Sequence, residues 1–157
     1  MQVTICAANC VGQAGNCSYP NRVTVVTPEQ LQEAVKKDHV CAEFKGNYRS
    51  GENFIRSDVI VMDIDNDHTD EPTEWIMPEK LEELFPNVEY LLAPSRHHLL
   101  DKEGKSARPR YHMYFPISEI TDAGRYANLK KAIQSVYSFF DGNALDAARF
   151  IFGAECD

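Results

Sequence analysis

Apolar positions along this chain fall in short alternating or continuous blocks punctuated by Gly, Pro, Asn and Asp, and three stretches switch to helical spacing. Val3 to Ile5 and Arg22 to Val26 read as strands around a loop of Gly, Asn and Cys. Thr27-Pro28-Glu29-Gln30 is a helix start, with Thr as cap, Pro at the first helical position and an acid in the first turn. That helix is expected to run to about Lys37, turning Leu31 and Val35 inward. His39 to Phe44 reads as one strand and Tyr48 to Phe54 as a polar connection. Val59-Ile60-Val61-Met62 is a buried strand that runs directly into Asp63-Ile64-Asp65. Pro78 to Phe85 is a short helix stopped by Pro86 and Asn87. Val88 to Ala93 and Tyr111 to Phe115 form a hairpin with a long loop rich in Lys, Arg and Gly. Thr121 is the expected cap of the longest helix, in which Tyr126, Leu129, Ile133, Val136, Tyr137 and Phe140 repeat at helical spacing. A turn at Asp141-Gly142-Asn143 leads to a last strand over Ala148 to Phe152. Strands and helices alternate without a regular βαβ rhythm, so the fold class is α+β.

Length and composition bound this picture. A chain of 157 residues is expected to form one domain, residues 1–157, and it shows no internal repeat or low-complexity tract. No apolar run reaches the length of a membrane span, and no signal-like N-terminus is present. The five cysteines are odd in number and scattered, which argues against a disulfide framework and for a reducing, cytoplasmic setting. Cys6, Cys10 and Cys17 with His39 or Cys41 lack the doubled tight pairing of a zinc site, so Cys6, Cys10, Cys17, Cys41 and Cys156 are read as small buried residues. The net charge of −8 argues against nonspecific nucleic-acid binding by the whole surface. Its distribution says more. Arg96, Lys102, Lys105, Arg108 and Arg110 crowd into one loop with His97 and His98, while acids concentrate from Asp63 to Glu83. That polarity suits an anionic substrate held between metal ions and basic side chains.

The acidic strand end carries the candidate chemistry. Side chains alternate across a strand, so Asp63 and Asp65 share a face, and two adjacent carboxylates repel unless a cation lies between them. Mg²⁺ and Mn²⁺ prefer such oxygen ligands. A calcium loop starting at Asp63 fails because His68 stands where Gly is required and the preceding segment is a strand. A haloacid-dehalogenase-type phosphatase matches Asp-x-Asp locally, yet the motif arrives late and no later acidic pair follows. A nucleotidyl transferase needs a third, distant carboxylate and groups that grip phosphates. Asp141 supplies the first, with Asp146 as a rival, and His112 beside the basic loop supplies the second.

In these motifs the chain resembles the archaeo-eukaryotic primase superfamily, in particular the primase-polymerase domains of plasmid, phage and integrative-element replication proteins. The resemblance covers roughly residues 40 to 153. It rests on Asp63-Ile64-Asp65, on Ala93-Pro94-Ser95 with Tyr111-His112-Met113-Tyr114, on Phe140-Asp141, and on Arg149 in the closing strand. The departures are the long insertion between Ser95 and His112 and the run Ser95-Arg96-His97-His98, which leave open whether His98 or His112 takes the phosphate-contacting role. The resemblance implies an RRM-like antiparallel sheet carrying the three acids, with an N-terminal α/β unit beside it. It implies template-directed synthesis of a primer from nucleoside triphosphates, with or without extension as a polymerase. Asp63, Asp65 and Asp141 are then the ligands of Mg²⁺ or Mn²⁺. Ser95, His112, His98, Arg110 and Arg149 contact the nucleotide, and Arg96, Lys102, Lys105 and Arg108 meet single-stranded DNA template or primer. Such domains are joined to a helicase or a primase C-terminal module, so the chain is expected to be a domain excised from a longer cytoplasmic protein. The competing readings are a non-catalytic module that binds nucleotide or nucleic acid and, further off, the phosphatase.

Overall fold

The strand-forming blocks separate into two sheets because the chain crosses between them twice. The computed structural model describes residues 2–154, so Cys156 lies outside the described residues. In chain order the elements are β1 (Val3–Ala7), β2 (Asn21–Val25), α1 (Pro28–Ala34), β3 (His39–Val40), β4 (Glu43–Phe44) and β5 (Phe54–Ile64). There follow α2 (Pro78–Leu84), β6 (Leu91–Pro94), β7 (Tyr111–Ile120), α3 (Ala123–Val136) and β8 (Phe150–Ile151). The first sheet has the order β2-β1-β3-β8 and the second β4-β5-β7-β6, and every pairing in both is antiparallel. This is the expected α+β architecture, with an N-terminal α/β unit beside an antiparallel sheet.

Four local expectations need correction. The segment His39 to Phe44 is two strands, because Cys41 and Ala42 carry the chain from the first sheet to the second. Helix α1 starts as expected, with a capping box between Thr27 and Gln30, but ends at Ala34. Beyond it the Val35 carbonyl accepts from the Ala154 N–H, and Gly153 lies against the backbone of Lys36 and Lys37. A Cβ at Gly153 would meet the Lys36 carbonyl at 2.3 Å, so only glycine lets the chain end dock here. Helix α3 is capped by Asp122, not Thr121, through a carboxylate that accepts from the Arg125 N–H at 2.8 Å, and it ends at Val136, an exposed residue, so Tyr137 and Phe140 lie beyond it. The strand expected from Val88 begins at Leu91.

Alternation then decides what each face of the second sheet does. Ile60, Met62 and Ile64 of β5, with Met113 and Phe115 of β7, bury against Leu81, Phe85, Tyr126 and Phe140. Val59, Val61, Leu91, Ala93 and Tyr114 face the other way, into a core shared with Val3, Ile5 and Val25 of the first sheet and with Leu31 and Val35. Two polar ties cross that layer. Asp58 accepts from the Thr4 N–H and Oγ1, both at 2.8 Å, and Tyr114 Oη donates to His39 Nε2 at 2.8 Å. No helix of the described residues is long and apolar enough to cross a membrane.

Candidate active site

Continuing each strand of the second sheet by one period beyond the inter-sheet core replaces apolar side chains with chemistry. On β5 the sequence Val59, Val61 is followed by Asp63 and then Asp65; on β7, Tyr114 is preceded by His112; past β6, Leu91 and Ala93 are followed by Ser95. The register sets Asp63 opposite His112 and His112 opposite Ala93. These groups converge where the hydrophobic layer between the sheets stops. Together with Arg149 and Asp141 they open on a cleft of about 360 Å³, whose lining also includes Phe150 and Ile151 of β8 and the following Phe152.

Asp65 follows the end of β5 and Asp141 reaches the strand pair from a loop, so the sheet itself carries one of the three acids and not all three. The Asp141 backbone N–H donates to the Asp63 carbonyl at 2.9 Å, pinning the turn after α3 to β5. Its carboxylate accepts from the Asn143 N–H at 3.0 Å, an Asx turn that aims it. One oxygen from each of Asp63, Asp65 and Asp141 then lies within 4.8 Å of the others, the one grouping of its kind among the described residues. Asp146 is exposed and outside it. Burial pushes the Asp65 carboxyl up from the usual range, and the charges of Asp63 and Asp141 push the same way against Lys102 and Arg110. Three half-buried carboxylate oxygens at this separation fit a hard divalent cation such as Mg²⁺ or Mn²⁺.

His112 Nε2 stands 3.6 Å from Asp63 Oδ1, with both side chains about one-seventh exposed. His98 is built in differently. Its Nδ1 accepts from the Arg110 backbone N–H at 3.0 Å and its ring packs on Tyr111 at 4.9 Å, so it braces the base of the insertion outside the cleft. Of the two histidines, His112 is the one beside the carboxylates.

The basic loop divides in two, which the sequence did not reveal. Arg96, His97 and Lys102 line the cleft. Arg108 and Arg110, expected to touch nucleic acid and nucleotide, are at most 1% exposed. Arg108 donates to the carbonyls of Asn66 and Thr69 at 2.9 and 3.0 Å, pairs with Asp70 at 2.8 Å and stacks over Trp75. Arg110 donates through Nη1 to the Asp65 carbonyl at 2.8 Å and to Asp67 at 2.9 Å. Lys105 pairs with Asp67 at 3.9 Å. These three cations therefore hold the turn that follows Asp65, which Asn66 shapes at φ 54 while its amide spans Ile76 and Pro109. Asn66 and Lys130 were missed altogether. Lys130 projects from the inward face of α3 and is 1% exposed; burial pushes its ammonium down, while the charges of Asp63 and Asp146 support it. Its place at helical spacing between Tyr126 and Ile133 was the signal.

Among the described residues the cysteines join no grouping that could hold a metal: Cys6 and Cys41 are buried free thiols, Cys10 and Cys17 are half-buried free thiols, and His39 spends both ring nitrogens on Lys37 and Tyr114.

No protein-family model matches the sequence, and no curated protein matches it. Among solved structures the chain is similar to the AEP domain of the cyanophage S-2L primase-polymerase (PrimPol), with a TM-score of 0.52 and 13% sequence identity. The match covers 99% of this chain and 73% of that one. The chain has the archaeo-eukaryotic primase-polymerase fold. At this identity the likeness establishes the fold alone, and any chemistry must be argued from the residues.

Proposed function

We propose that the chain is the catalytic domain of a primase-polymerase, which copies single-stranded DNA into a primer from nucleoside triphosphates. The observation that carries this reading is the meeting of Asp63, Asp65 and Asp141 within 4.8 Å in a cleft that also holds His112 and Arg149. Asp63, Asp65 and Asp141 would hold Mg²⁺ or Mn²⁺, which when bound neutralises a triphosphate and lowers the pKa of an attacking 3′-hydroxyl. The residues around them have separable tasks. His112 Nε2, 3.6 Å from Asp63 Oδ1, would lie in hydrogen-bonding reach of a phosphate held at the acids and donate a hydrogen bond to it. Ser95 contacts the same phosphates through its hydroxyl. Arg149 and Lys102 add positive charge at the cleft mouth, where the triphosphate tail and the nucleic-acid strand enter. Arg110 acts at one remove, fixing the carbonyl of Asp65 so that its carboxylate points at its two partners. A helicase or primase C-terminal module in a longer protein would supply template engagement that a net charge of −8 does not.

Incubation with single-stranded DNA, labelled nucleotides and Mn²⁺ or Mg²⁺ tests the reading. Products of two or more nucleotides are expected, dependent on template and metal, with Asp63→Ala lowering synthesis at least about 100-fold, in line with the loss of a transition-state charge contact. If neither this chain nor the full-length protein joins nucleotides with either metal, the reading falls and a binding module remains.

A further inference from the structure

Part of the cleft lining is aromatic. Phe150 and Phe152 supply it, with ring centroids 4.8 Å apart and edge to face. Each ring carries a guanidinium, but on different terms. Arg49 covers Phe150 at 4.8 Å and is pinned there, its Nη1 donating to the Ala148 carbonyl at 3.1 Å and its backbone N–H to the Cys17 carbonyl at 2.7 Å. Arg96 covers Phe152 at 3.5 Å from the ring centroid, is exposed, and makes no ion pair among the described residues. Arg96 belongs to the second sheet's insertion and Phe152 to the end of the first sheet, so this loosely held stack bridges the cleft.

The backbone next to that ring is anchored. Gly153, next in the chain, donates to Asp38 Oδ1 at 2.8 Å and has no room for a side chain against Lys36. The cleft therefore offers an aromatic face on an anchored backbone, under a cover held by no ion pair among the described residues. A cation over a ring and a nucleobase over a ring use the same face, and base stacking tolerates any base.

We propose that Phe152 is the surface on which the base of the bound nucleotide stacks, and that Arg96 occupies that surface until the base displaces it. This rests on the reading of the acidic cleft as a nucleotide site and adds which residue takes the base. Arg96, once displaced, remains in the same cleft as Lys102 and Arg149, where it faces phosphate oxygens.

Titration calorimetry without template tests this, using dGTP and inorganic tripolyphosphate as probes, each with Mn²⁺. Wild-type protein is expected to bind dGTP at least about tenfold more tightly than tripolyphosphate, the stacking of one base. Phe152→Ala should lose about tenfold for dGTP while tripolyphosphate stays within about twofold, and Phe152→Trp should keep the wild-type preference. Phe152→Leu, which keeps apolar volume without a π face, should behave as the alanine variant and serves in its place if that variant does not fold. Equal affinity of the wild type for the two probes, unchanged dGTP binding in Phe152→Leu, or equal loss for both probes overturns the base platform and leaves the metal and triphosphate reading standing. Binding of neither probe by the wild type overturns that reading, and the platform with it.

Discussion

Asp65 places a carboxylate in the proposed metal site at the expense of the fold. Its carboxyl is raised chiefly by burial and then by Asp63 and Asp141. A carboxylate whose folded pKa lies above its unfolded value contributes stability only while protonated, and that contribution is lost as pH rises through the folded pKa. At neutral pH the charged Asp65 is therefore a net cost to the metal-free protein. Asp65→Asn is expected to raise the thermal midpoint of the metal-free form by a few degrees at pH 7, while abolishing the stabilisation that Mn²⁺ gives the wild type. A thermal scan with and without Mn²⁺ checks both. The pair Asp63 and Asp65 was legible in the sequence because strand alternation alone puts them on one face. Lys130 was not, because an ammonium on an apolar helix face looks like an interruption until the acids behind it are known.

At the scale of elements, the insertion between β6 and β7 is two structures in one. Residues near its start face the cleft, and those near its end lock onto the turn after β5. Charge counting along the chain merged them, since the pairs Arg108–Asp70 and Arg110–Asp67 join segments about forty residues apart and leave no local periodic trace. The division makes a measurable difference. Lys102→Ala should reduce the salt slope of single-stranded DNA binding by about one phosphate contact, seen as a shallower plot of log affinity against log salt. Arg108→Met should leave that slope unchanged and instead cost about 2 kcal/mol of stability, from lost charged hydrogen bonds to Asn66 and Thr69, read in urea unfolding. Turn boundaries were misjudged for a related reason. The end of α1 is set by the returning chain at Gly153 and Ala154, a contact no helix signal encodes.

Across the whole molecule, two sheets are held face to face and the cleft exists because their shared core ends at Asp63. His39 sits in that junction, fully buried, its Nδ1–H donating to the Lys37 carbonyl at 2.9 Å and its Nε2 accepting from Tyr114 of the other sheet. Burial pushes its imidazole down to about 4. The unfolded chain takes up that proton near pH 6.5 and the folded one does not, so stability is full above pH 6.5 and declines as pH falls toward 4, by on the order of 3 kcal/mol from this group. His39→Gln, which keeps a donor and an acceptor but does not titrate, should flatten the fall in urea midpoint between pH 7 and 4.5. A parallel fall in both proteins would assign the acid sensitivity elsewhere. The two-sheet arrangement itself was partly readable: strand blocks and α+β class followed from hydrophobic period, whereas the crossing at Cys41 and Ala42 is hidden inside one apolar-looking run.

The central claim is that Asp63, Asp65 and Asp141 act as one metal-dependent centre, with the third acid brought in by the turn after α3. Primer extension on a single-stranded template, with Mn²⁺ and labelled nucleotides, compares Asp141→Asn with Asp146→Asn in the context of the wild-type protein. The account predicts that Asp141→Asn lowers extension at least about 100-fold, while Asp146→Asn stays within about twofold of wild type. Full extension by Asp141→Asn, or loss of it in Asp146→Asn alone, would contradict the account.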